Sequence, residues 1–155
     1  MDARADHPQV VVLPPLLYAA GFAAGLILEF LWRTHLAGPS VRFTLGSALV
    51  ALGGALGFAG VRAFQHAGTN VEVYRPSTSL VVTGPYRYMR NPIYVGLTSA
   101  YLGAAFLADS VWVLMLVVPI VLITHFGVIL REERYLAPKF GAAYRDYMRS
   151  VRRWL

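Results

Sequence analysis

Gly84-Pro85-Tyr86-Arg87-Tyr88-Met89-Arg90-Asn91-Pro92-Ile93-Tyr94-Val95-Gly96 is polar, aromatic and basic, and it opens directly into an apolar run. Gly84-Pro85 reads as a turn. Asn91 is a good N-cap and Pro92 suits the first helical position, where a missing N–H costs nothing, so a helix is predicted to start at Pro92. Its first N–H groups and positive dipole end then face back toward Tyr86, Arg87 and Arg90, an arrangement able to hold a carboxylate or a phosphate. The same spacing also reads, more plainly, as a capped transmembrane helix with basic flanks.

Around this stretch the chain is apolar. Its 155 residues are 57% hydrophobic and 14% charged, with a mean hydropathy of +0.53, which implies a single all-α integral membrane domain. The net charge of +6 would suit nucleic acid, but the cations lie between apolar segments, so membrane topology explains them and no nucleic-acid partner is expected. Cysteine is absent, and so are His-x-x-x-His, Gly-x-Gly-x-x-Gly and P-loop patterns; no metal is expected. The first residues, Met1 to Pro8, lack a basic n-region, so the first apolar segment is expected to be retained.

Four apolar segments run over about Val10–Trp32, Phe43–Val61, Pro92–Leu107 and Val111–Leu130. All four are expected to be transmembrane helices, the third and fourth forming a hairpin. The third is short, roughly 24 Å of helix, and spans only if the polar 84–91 loop is drawn into a pocket. Arginines crowd the loop before the third segment (Arg62, Arg75, Arg87, Arg90) and the tail after the fourth, so both are expected to be cytoplasmic, as are both termini, in a bacterial inner membrane. Trp32 and Trp112 then share the outer interface. Small residues one turn apart (Gly21/Gly25, Gly53/Gly57, Gly96/Ala100/Ala104) predict close helix packing, and Pro119 predicts a kink. In the tail, Leu136, Phe140, Tyr144 and Tyr147 recur at helical spacing among charges, which predicts an amphipathic cytoplasmic helix that bends near Pro138, lies on the membrane surface and is anchored by Trp154 and Leu155.

Acids are few. Glu132 and Glu133 directly follow a membrane helix; they are either a self-paired solvated cluster or the acidic wall of a binding site. His125, two turns earlier, is read as a packed histidine bonded to a backbone carbonyl ahead of a general base. Glu29, near the outer end of the first segment, is read as structural.

The motifs together resemble the isoprenylcysteine carboxyl methyltransferase family, small membrane enzymes that use S-adenosylmethionine and to which bacterial phospholipid methyltransferases are related. The likeness covers Ala67 to Leu155: Gly68-Thr69, Arg75-Pro76-Ser77, Gly84-Pro85-Tyr86, Arg90-Asn91-Pro92-Ile93-Tyr94-Val95-Gly96, Glu132-Glu133, Phe140-Gly141, Tyr144, Tyr147 and Arg152. It implies a single domain, 1–155, in which 1–66 contributes two helices and 67–155 binds the cofactor. It implies that S-adenosyl-L-methionine is held by Thr78, Ser79, Leu80, Val81, Tyr86, Asn91, Pro92, Ile93, Tyr94 and Glu132, with Arg90, Asn91 and Tyr94 as the catalytic residues. Asn91 stands where many members carry His, and an amide cannot titrate. Val128 stands where the eukaryotic enzymes place an Arg that serves the substrate carboxylate. The implied acceptor is therefore a lipophilic molecule or lipid, whether an isoprenylcysteine-like carboxylate, a phospholipid amine or a thiol. The rival readings are an NADPH-dependent membrane reductase of related fold and a non-catalytic membrane scaffold.

Overall fold

The computed structural model describes residues 7–72 and 74–155; the N-terminal residues read above for a signal region lie largely outside them. The described residues form five α-helices: α1 (Pro14–Leu31), α2 (Pro39–His66), α3 (Pro92–Leu107), α4 (Val111–Thr124) and α5 (Leu130–Ser150). A 3₁₀ turn, Gly84–Arg87, precedes α3, and a π-turn, His125–Ile129, joins α4 to α5 without interrupting the rod. No strand forms among the described residues; one isolated parallel bridge pairs Met89 with Arg152. Among the same residues, three helices are long and apolar enough to cross a membrane: α1, α2 and the continuous rod Val111–Ser150. The protein is thus an all-helical integral membrane protein, with α3 as a shorter apolar helix of 16 residues.

Proline sets three of the helix starts. Pro14, Pro39 and Pro92 each lie in the first turn, where the absent N–H had no partner to lose. The first segment begins later than its hydropathy suggests because residues 10–12 stay outside the helix: Val11 N–H bonds the Gly127 carbonyl, and Val10 and Val12 pack over the π-turn. The second begins earlier and ends later than expected, at Pro39 and His66.

A glycine seam joins α2 to α3. A Cβ added to Gly53 would lie 2.5 Å from the Gly96 carbonyl oxygen and 2.6 Å from the Ala100 nitrogen, while one on Gly60 would meet Ile93 at 2.6 Å. Gly46 meets Gly103 and Leu107 in the same way. Backbones therefore touch along the whole of α3. On its other side α3 meets α1 and α4 through a core of Tyr18, Tyr101, Ala105, Val113 and Ile120. Gly21 faces Ile120 and Gly25 faces Val113, so the small-residue spacing read in α1 is also used for packing.

The α3–α4 turn is clamped to the α1–α2 loop. Asp109 accepts bonds from Leu36 and Ala37 N–H and from Arg42, and it contacts His35. Its carboxyl is held down to about 2, chiefly by the His35 bond, so it is ionised at neutral pH. Glu29 accepts from Thr34, and Trp112 donates to the Trp32 carbonyl, so this end of the bundle is tied by polar contacts that no ligand needs.

The tail departs from expectation. Pro138 lies inside α5, and the break comes at Gly141 (φ 57, ψ −127), a conformation open only to glycine. Beyond it the chain packs back on the bundle through Tyr147 and residues 152–154.

Replacing Gly53 by Leu is expected to lower the detergent melting temperature, by roughly 1–3 kcal/mol of overpacking, whereas Leu at Gly54, where an added Cβ meets nothing within 4 Å, leaves it within error. Equal effects would remove the seam.

Candidate active site

The site is assembled at the end of the bundle opposite Asp109. Gly84 (φ +60) reverses the chain after the 67–83 loop and so starts the 3₁₀ turn. That turn buries Tyr86 between Ala63, Val81 and Phe64, with the Tyr86 and Phe64 rings edge-on at 5.5 Å. Burial, with the Glu132 charge adding to it, pushes the Tyr86 hydroxyl well above its ordinary pKa, so it remains a neutral phenol. Tyr147 donates to the Tyr86 carbonyl at 2.7 Å and pins the turn to α5.

Asn91 precedes α3 but does not cap it. Its side chain instead donates to the Arg153 carbonyl at 2.8 Å, and Arg90 N–H donates to the Arg152 carbonyl at 2.9 Å. The returning tail thus completes the turn as a short strand would. Trp154 then stacks on His125 and donates to its Nδ1 at 3.2 Å. His125 therefore bonds an indole, where a backbone carbonyl was expected, and Trp154 anchors to protein, where lipid was expected.

Tyr94 and Glu132 meet: the hydroxyl donates to Oε1 at 2.6 Å. Glu133 takes a two-pronged pair from Arg153, Nε to Oε1 and Nη2 to Oε2, each at 2.8 Å. Arg90 lies 3.2 Å from the same carboxylate without hydrogen-bond alignment. Its Nε and Nη1 are buried and hold no acceptor.

These groups surround a cavity of about 350 Å³, within the usual range for small-molecule sites. Of the residues singled out from sequence, it is lined by Ser79, Leu80 and Val81 from the loop, by Tyr86, Arg90 and Asn91 from the turn, by Ile93 and Tyr94 from α3, and by Glu132. Two are not in the wall. Thr78 is exposed and bonds the Gly68 carbonyl, and Pro92 is packed inside the fold. Ser79 Oγ is likewise turned to the Ala67 carbonyl, closing the loop on itself. Sequence reading missed the apolar side of the cavity, Leu13, Pro14 and Phe64, because those residues look like any lipid-facing helix end. It also left Tyr144 and Tyr147 on a surface helix, although their i, i+3 spacing puts both rings on one face, and that face is the pocket wall.

One end of this helical membrane protein thus holds a partly open cavity whose walls carry charged and aromatic side chains beside apolar ones. The chain belongs to the phospholipid methyltransferase family, whose sequence model matches residues 41–143, more than half of its length. That family is one of membrane methyltransferases acting on lipid-like substrates. A stretch of 49 residues, 32% of this chain, is 47% identical to an uncharacterized protein of Haemophilus influenzae and covers 76% of it. No solved structure matches the chain.

Changing Asn91 to Asp separates capping from tail docking. An N-cap tolerates the change, but an Asp cannot donate to the Arg153 carbonyl. Asn91→Asp is expected to speed hydrogen exchange across residues 150–155 and to cost about 1–3 kcal/mol; unchanged exchange would contradict the docking.

Proposed function

We propose that this protein is an S-adenosyl-L-methionine-dependent methyltransferase that acts on a lipophilic acceptor. We also propose that it is held in the bilayer by four spans as one domain, 1–155, with 1–66 supplying two helices and 67–155 the cofactor site. The observation that carries this reading is the cavity in which Arg90, with unused donors, faces Glu132, held by Tyr94.

A cavity with a cation and a carboxylate on its walls suits a zwitterion. Glu132 keeps Oε2 to accept from an ammonium or a ribose hydroxyl, and Arg90 offers Nε and Nη1 to a carboxylate. The faces of Tyr86 and Tyr144 suit a neighbouring sulfonium. Bound there, S-adenosylmethionine supplies a methyl group already activated on sulfur, so the chain's own residues have only to align and dry the reacting groups. The tail, docked across Met89–Asn91, screens that end from water. The acceptor side is apolar: Leu13, Leu16 and Phe64, from the start of α1 and the end of α2, give an alkyl chain a lipid-side approach. Arg90, Asn91 and Tyr94 are the residues nearest the proposed chemistry. The acceptor atom is an amine nitrogen, a thiol sulfur or a carboxylate oxygen.

Packing supports the reading of four spans. α3 lies along α2 from Gly60–Ile93 to Gly46–Gly103, so a bilayer crossed by α2 encloses α3 as well. The arginines of the 62–90 loop and the tail support a cytoplasmic site.

Calorimetry on the detergent-purified protein is expected to show S-adenosylhomocysteine binding at submillimolar concentration, weakened about tenfold or more by Glu132→Ala, with NADPH failing to compete. Methyl transfer from labelled cofactor should then appear on at least one of a panel of phospholipid amines, alkyl thiols and prenylcysteines. Absent binding, or binding indifferent to Glu132, contradicts the proposal.

A further inference from the structure

We propose that Arg153 is a positioning residue: by occupying Glu133 it leaves the Arg90 guanidinium free to bind the carboxylate of an amino-acid ligand in the cavity. This rests on the cofactor reading above and adds to it a residue that lies outside the matched family region.

The observation behind it is an imbalance. Two guanidinium groups, Arg90 and Arg153, stand at one carboxylate, Glu133. Arg153 takes both oxygens in a parallel fork, the geometry in which arginine and carboxylate bind best. Arg90 is left 3.2 Å away with its side chain only 10% exposed and with Nε and Nη1 lacking an acceptor. Buried charged donors without partners are unfavourable, yet a carboxylate able to satisfy them is adjacent. Arg153 holds that carboxylate in an orientation that Arg90 Nη1 approaches without hydrogen-bond alignment. Two guanidinium groups thus share the Glu133 carboxylate, and the unused donors belong to the one that lines the cavity, Arg90.

Arg153 keeps its place because the main chain around it is fixed at three points. Arg152 accepts from Arg90 N–H, the Arg153 carbonyl accepts from Asn91, and Trp154 is stacked on His125. The two arginines are also linked through the backbone, so the tail that carries the competing cation docks on the turn that carries the binding one. Removing the Arg153 charge changes the outcome: Glu133 would turn to Arg90 and close it as an anion site. Removing Glu133 as well would open it again.

The test compares two probes by calorimetry on the full chain in detergent. S-adenosylhomocysteine carries the amino-acid carboxylate, and 5′-methylthioadenosine lacks that whole end. Arg153→Gln is expected to weaken S-adenosylhomocysteine about tenfold and to leave 5′-methylthioadenosine within twofold. The double variant Glu133→Gln/Arg153→Gln should regain most of the S-adenosylhomocysteine affinity. An Arg153 that only glues the tail predicts otherwise: both probes weaken together, and the double variant is no better than the single one. Either result overturns the proposal while leaving the cofactor reading intact. If the unaltered protein binds neither probe, the cofactor reading falls and takes this one with it.

Discussion

The 2.6 Å hydrogen bond from Tyr94 to Glu132 joins the helix that opens the site to the helix that closes it. A carboxylate placed just past an apolar helix needs donors, because withdrawing it from water unpaired is costly. Tyr94 is the donor α3 provides, one turn into the helix that Pro92 starts. For the two to meet, α5 must leave α4 in the right rotation. The π-turn at His125–Ile129 inserts an extra residue into the rod and rotates α5 about the rod axis by roughly 100°. Val128 and Ile129 are buried beneath Tyr94 as a result, and the acid pair lies at the cavity.

The two acids have different environments. Glu132 accepts from the Tyr94 hydroxyl through one oxygen; Glu133 is bound by Arg153 and helps fix the tail. Adjacent in sequence, they take separate roles in the proposed site, Glu132 in recognition and Glu133 in closure. The rest of the bundle keeps that geometry from drifting. Backbones meet closely along the α2–α3 seam, which reaches the cavity at Ile93, and the Asp109 clamp holds the opposite end. Such tight support suits a preorganised site.

Much of this was legible in the chain. Proline at the first helical turn marked α3, and the boundaries read for it, Pro92 to Leu107, are those it has. Small residues one turn apart named the close contacts at Gly21, Gly25, Gly53 and Gly96, but not those at Gly46, Gly60 and Gly103, and a Cβ on Gly57 would meet nothing. The polar run 84–96 and the acid pair 132–133 stood out because charge is rare in an apolar chain. The illegible features depend on long-range geometry. Asn91 has the chemistry of a cap, but its amide found the Arg153 carbonyl, 62 residues away. A π-turn leaves no mark in His125-Phe126-Gly127-Val128-Ile129, which reads as plain apolar helix. Pro138 looks like the breaker in α5, yet the turn of the chain needed a positive φ, which Gly141 supplies at least cost. The apolar wall at Leu13 and Phe64 resembles lipid-facing surface because half of each such helix end is lipid-facing.

A double-mutant cycle on Tyr94→Phe and Glu132→Gln, read as S-adenosylhomocysteine affinity in detergent, tests the central contact most directly. If the two act as one unit, each single change weakens binding and the double change weakens it no further, a coupling of about 1–3 kcal/mol. Additive losses would mean that the hydroxyl and the carboxylate work independently, and the site would lack its organising bond.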